Sequence, residues 1–247
     1  MYKLLKILVA LSLFVFVISC ATKPAQLSFS QYRIENPKQV DTPILNWLSV
    51  YKDSLGKSMN TVIGFSLYGL TKKQPESGLG NFMADAMKSM AEKKFNTKVD
   101  AAFVNYGGIR SYLPKGDITV GKMYELMPFD NLIVLQTVSG KDLQLFLNLV
   151  AGRNGWPVST GLTFAIKDKQ AVNILIDGKP IREDEKYTIA NSDYVANGGD
   201  NAEMLKKLPQ LNKFYIFRDA LIEYTKQQTN LGKTIDCKPE NRVVYAQ

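Results

Sequence analysis

Two apolar periods run along this chain. Leu79, Phe82, Met83, Ala86, Met87 and Met90 recur at helical spacing, the signature of a helix with one buried stripe. Ser77 stands where an N-cap would accept the first free backbone N–H groups. Thr42-Pro43, a cap followed by Pro at the first helical position, predicts a second helix to about Ser54, with Ile44, Leu45, Leu48 and Tyr51 on one face. Ser139 is expected to cap a helix through Val150, with Asp142 in the first turn where the helix dipole favours negative charge. A short helix is predicted over Lys122–Leu126 and a last one over Phe217–Gln228.

The second period is that of strands. Leu27–Ile34 alternates apolar with polar, and Thr61–Tyr68, Leu132–Val138, Leu162–Ile166, Val172–Ile176, Tyr187–Ala190 and Arg242–Tyr245 are short β-prone runs. Asp177-Gly178 is a turn between two of them. Strands and helices mix without strict βαβ alternation, which predicts an α+β (mixed α/β) fold. No repeat or Pro/Ser-rich linker divides the chain, so one domain is expected over 27–247.

Residues 1–19 read as a leader rather than as part of the fold. Lys3 and Lys6 precede an apolar run, Ile7–Ile18, too short and wrongly flanked for a spanning helix. Val17-Ile18-Ser19-Cys20 has the look of a lipobox, so Cys20 is expected to become a lipidated N-terminus, with 20–26 as a tether. Such a chain would be exported and held in the cell envelope through its lipid; Ala21-Thr22 lacks an acidic retention residue, which favours the periplasmic side of an outer membrane. Cys237 is then left without a partner and is expected to be a buried or half-buried thiol.

The chain has no His. That excludes Ser-His-Asp triads, Cys-His pairs and the usual His-rich zinc and di-metal centres. The net charge is +8, with the basic residues dispersed. Mild attraction to anions follows, whereas export and the lack of any nucleic-acid-binding motif disfavour DNA or RNA as partner.

Candidate chemistry gathers at Asn105-Tyr106-Gly107-Gly108-Ile109-Arg110, after the apolar stretch of the expected strand Lys98–Val104. Two glycines allow a sharp turn and close approach of backbone to a ligand. Asn offers donor and acceptor, and Arg a fork of donors suited to phosphate or carboxylate. Taken alone, such a turn is more often a plain turn than a site.

It gains weight from its neighbours in sequence. Glu76–Ala86, Asn105–Arg110, Gly116–Thr119, Pro128–Asn131, Ser139-Gly140, Ser159–Leu162 and Asn197–Asp200 follow one another in the order of the C-terminal domain of bacterial and animal 5′-nucleotidases, which this chain resembles from Thr61 to roughly Leu205. The resemblance implies a nucleotide-recognition domain. In it Phe129 and Tyr194, the latter where the family usually has Phe, would sandwich the base, and Asn131 would reach the base edge. Asp200 would accept from ribose hydroxyls, and Asn105 and Arg110 would face the phosphate. Lys73 stands where the family usually has a second Arg, keeping the charge without the bidentate fork. On sequence alone Phe129 reads as core and Asp200 as a turn residue.

The resemblance also implies a metallophosphatase domain with His and Asp ligands, which these residues cannot supply. No cofactor is expected in this chain, and divalent metals are expected only in a partner. The preferred reading is therefore the substrate-recognition half of a split 5′-nucleotidase, with hydrolysis supplied by a separate metallophosphatase chain. The alternatives are a non-catalytic lipoprotein that binds nucleosides or nucleotides, and a structural envelope protein that has lost the site.

Overall fold

The methionine-rich periodicity becomes helix α2 (Gly78–Phe95), which follows helix α1 (Thr42–Met59) and strand β1 (Val62–Ser66). Ser77 caps α2 by accepting the Gly80 N–H, and Leu79, Phe82, Met83, Ala86, Met87 and Met90 are all buried. The computed structural model of the chain describes residue 2 and residues 42–246. The chain falls into two units, Met1–Trp47 and Leu48–Gln247. The leader, Cys20, the tether and the expected strand Leu27–Ile34 lie outside the described residues. Ile44, Leu45 and Leu48, on one face of α1, are exposed.

The second unit is built on a four-stranded sheet in the order β2 (Ala101–Ala102), β8 (Lys186–Ser192), β4 (Leu132–Ser139), β9 (Gln210–Ile216). β2 runs parallel to β8, and the β8–β4 and β4–β9 pairs are antiparallel. Both faces are covered. Ala102, Ile133, Leu135 and Ala190 pack into one core with α2 and helix α7 (Phe217–Asn230). Ala101, Val138, Tyr187 and Ile189 point the other way, into a second core with helix α4 (Gly140–Gly152). Successive strand residues thus feed opposite cores, and the sheet reads as near-continuous apolar runs.

The second core is closed by another four-stranded sheet in the order β10 (Val243–Tyr245), β5 (Leu162–Lys167), β6 (Gln170–Ile176), β7 (Lys179–Pro180). A two-stranded antiparallel sheet pairs β1 with β3 (Gly116–Thr119), which leads into helix α3 (Val120–Leu126). Short helices α5 (Asp193–Ala196) and α6 (Glu203–Lys206) follow β8. Buried Arg242 fastens the chain end to α2: its guanidinium donates to both carboxylate oxygens of Asp85 at 2.7 Å and to the Val158 carbonyl at 3.0 Å.

The expected elements that fall among the described residues are present within a few residues of their predicted ends, apart from Lys98–Val104. The run Lys98–Val104 forms only the two-residue β2: Asp100 and Phe103 donate to Thr188 and Ala190 of β8 on either side of it, and from Phe103 on the chain turns to the segment 157–159, where Phe103 bridges Val158 and Val104 donates to Pro157. The strand β9 was not predicted. It is an edge strand with a mixed burial pattern, and its pairing with β4 breaks near Phe214, a left-handed residue at φ 51°.

Candidate functional site

The Asn105–Arg110 stretch leaves β2 and forms a 3-10 turn over Tyr106–Gly108. Asn105 is 8% exposed, and its side chain lies over Gly108, where a Cβ would come within 2.8 Å of Oδ1. The second glycine is therefore needed for close packing rather than for an unusual φ. Arg110 is held at its backbone, where its N–H donates to the Leu126 carbonyl at 3.0 Å. Its guanidinium donates to the Gly107 carbonyl at 3.3 Å and sits 5.7 Å from the centre of the Phe129 ring.

Phe129 and Asn131 lie on the loop between α3 and β4. Arg218, in the first turn of α7, reaches beneath this loop and donates to the Phe129 carbonyl at 3.2 Å and to Asp130 Oδ1 at 2.6 Å. The far end of the loop is pinned by the Phe217 N–H on the Asn131 carbonyl and by the Leu132 N–H on Asp193 Oδ1, at 2.9 and 3.0 Å. The loop is thus clamped from two sides, and the Phe129 ring is left 37% exposed.

Tyr194 stands in the first turn of α5, capped by Ser192, and is 47% exposed. Asp193 Oδ1 also accepts the Tyr194 N–H at 2.9 Å, so one carboxylate ties the Phe129 loop to the Tyr194 helix. Gly198 (φ 91°) reverses the chain, and Asp200 (φ 53°) and Asn201 (φ 65°) are both left-handed. Such pairs are sparse outside glycine and persist where surroundings hold them. Here the Asp200 N–H donates to the Tyr194 hydroxyl at 3.3 Å, Asp200 Oδ2 accepts from Asn105 Nδ2 at 2.7 Å, and Asp200 Oδ1 lies 3.9 Å from Arg153 Nη1.

Asn105, Arg110, Phe129, Asn131, Tyr194 and Asp200 line one cavity of about 360 Å³, together with Gly107 and Gly108. That volume lies at the low end of small-ligand sites. Two exposed aromatic rings, one carboxylate, two amides and one guanidinium line it, a set suited to a flat polar ligand with hydroxyl and anionic groups. Among the described residues, no group of three or more His, Cys, Asp or Glu could hold a metal.

Lys73 is not brought to this cavity. It lines a separate one with Tyr68, Thr71, Glu76 and Lys238. Its neighbour Lys72 reaches the Asn105–Arg110 turn instead, donating to the Ile109 carbonyl at 2.8 Å with its ammonium 4.5 Å from the centre of the Tyr106 ring. Sequence reasoning also missed Arg218, Asp193 and Arg153. They act through tertiary contacts far along the chain, and nothing in their local sequence marks them.

Fold and cavity together define an α+β domain that presents two exposed aromatics at one cavity. The chain belongs to the family of the 5′-nucleotidase C-terminal domain, whose profile matches residues 54–207. It is 31% identical over 186 residues to cell wall protein Lmo0130 of Listeria monocytogenes, covering 69% of this chain and 24% of that one. To the trifunctional nucleotide phosphoesterase protein YfkN of Bacillus subtilis it is 26% identical, over 88% of this chain and 16% of that one. To the 5′-nucleotidase of Vibrio vulnificus it is 24% identical, over 86% of this chain and 39% of the relative. Among solved structures, a 5′-nucleotidase precursor from Thermus thermophilus superposes with a TM-score of 0.71 at 25% identity, over 84% of this chain and 44% of that one. The chain therefore spans between 16% and 39% of the length of these curated relatives.

Proposed function

We propose that this chain is the nucleotide- or nucleoside-recognising half of an exported 5′-nucleotidase, with phosphoester hydrolysis supplied by a separate metallophosphatase chain. The observation that carries the reading is the convergence of Phe129, Tyr194, Asp200 and Arg110 on one cavity from distant parts of the sequence. A base would stack between the two rings, a contribution of about 1–3 kcal/mol per base. Asn131 would meet the base edge, and the ionised Asp200 would accept from ribose hydroxyls. Arg110 would take the 5′ phosphate. One amide N–H of Asn105 is engaged by Asp200, so its first contribution is to orient that carboxylate. Lys73 lies elsewhere, and Lys72 is the lysine tethered at the Arg110 turn.

The partner would supply the divalent metals and the activated water. The absence of His from the chain supports that division of labour, since the family's metallophosphatase ligands include His. A lipid on Cys20 would hold the recognition half at the envelope, where exported nucleotides are met. No helix among the described residues is long and apolar enough to cross a membrane. The similarity to a protein named for the cell wall supports a place at the cell surface.

The test is a calorimetric titration of adenosine and AMP into the chain, followed by phosphate release from AMP with and without an exported metallophosphatase from the same organism. Binding by the chain, with hydrolysis only in the mixture, is the expected result. Binding with no partner-dependent hydrolysis would move the chain to the non-catalytic lipoprotein reading. No binding of either ligand would overturn both. Replacing Cys20 by Ser should release the chain from the membrane fraction; retention there would defeat the lipid anchor.

A further inference from the structure

Tyr194 does more than offer a ring. Its hydroxyl accepts the backbone N–H of Asp200 at 3.3 Å, within the six-residue span that also carries Gly198 and Gly199. The ring edge rests directly on Gly199: a Cβ there would lie 2.5 Å from Tyr194 Cε1 and 2.6 Å from Cζ. The loop beyond holds Asp200 and Asn201 in the left-handed region, so its shape depends on outside contacts. For the Asp200 main chain that contact is the tyrosine hydroxyl, and for its carboxylate it is Asn105.

We infer that Tyr194 is a positioning and specificity-determining residue for the sugar, setting through its hydroxyl where the Asp200 carboxylate stands relative to the stacked base. Ring, glycine and carboxylate form one block, so the seat for the base and the seat for the sugar keep a fixed separation. A phenylalanine would supply the same stacking face without that link. This inference rests on the nucleoside-binding reading above.

The experiment measures dissociation constants of adenine, adenosine and 2′,3′-dideoxyadenosine for the full chain and for Tyr194→Phe. In the unaltered chain adenosine should bind more tightly than the dideoxy analogue, because only adenosine offers hydroxyls to Asp200. In Tyr194→Phe that ratio should shrink by about three- to tenfold, the worth of one ordinary hydrogen bond. Adenine, which has no sugar, should lose less affinity in Tyr194→Phe than adenosine does. Gly199→Ala, whose Cβ would meet both the Tyr194 ring and the Tyr194 carbonyl oxygen at 2.5 Å, should also shrink the ratio. A ratio unchanged in Tyr194→Phe, or adenine and adenosine weakening in step, would overturn the inference while leaving the nucleoside site in place. If none of the three ligands binds the unaltered chain, the underlying reading falls and this one with it.

Discussion

Asn105 Nδ2 donates to Asp200 Oδ2 across 2.7 Å, joining residues 95 positions apart in the chain. One leaves the short strand β2 and the other closes the Gly-Gly loop after β8, so the bond exists only because β2 and β8 lie side by side. Asn105→Ala should release the carboxylate and lower adenosine affinity about tenfold or more, as expected for a bond to a charged acceptor. Asn105→Asp, which sets two carboxylates against each other, should be worse. Calorimetry reads both, and equal affinities across the three proteins would remove Asn105 from the site.

The exposed rings give a second prediction. Phe129→Ala and Tyr194→Ala should each weaken nucleoside binding by about 1–3 kcal/mol, the range for a lost stacking partner. Lys73→Ala should leave AMP affinity nearly unchanged, because Lys73 lines a different cavity. A large loss on removing Lys73 would show that the cationic corner extends further than the described geometry.

Arg242 concerns stability rather than ligand. Its bidentate pair with Asp85 is shielded, with the guanidinium 5% and the carboxylate 23% exposed at the side chain. Arg242→Ala leaves Asp85 with only the Thr160 N–H, without a counter-charge, and should cost about 3–5 kcal/mol in urea unfolding. Arg242→Lys should recover only part of this, since one ammonium cannot match the fork. Full stability in the alanine variant would mean that the tie between chain end and α2 contributes little.

Cys237 supplies a pH dependence. Cys237 is half-buried, and its desolvation, with the Asp85 charge as a lesser cause, pushes its thiol up from 9.0 to about 11. The folded state thus favours the neutral thiol. The resulting stability is present below pH 9 and is lost as pH rises from about 9 to about 11. Alkylation by iodoacetamide at pH 8 should be far slower in the folded chain than in urea. The unfolding midpoint should fall less steeply above pH 9 in Cys237→Ala than in the parent. Fast labelling at pH 8 would contradict the burial.

Most of the secondary structure could be read from pattern because local rules and tertiary packing agree there. The stripe of α2, the Ser77 and Ser139 caps, the acidic first turn of α4 and the apolar run of β4 each carry their own signal. The pattern failed where context overrode it. The apolar run through Val104 pairs with β8 only as far as Phe103 and then turns to the segment 157–159, so it makes only a two-residue ladder.

Residue type and short-range spacing were enough for the α+β class, the family blocks and their order, and the exclusion of histidine chemistry. Which candidates share a cavity was settled by the folded chain. It joined Asn105, Phe129, Tyr194 and Asp200, left Lys73 outside, and brought in Arg218 and Asp193 as the supports of the two rings. The reason is geometric: strand order places β2, β8 and β4 side by side, and the loops at their ends meet at distances that no local spacing along the chain encodes.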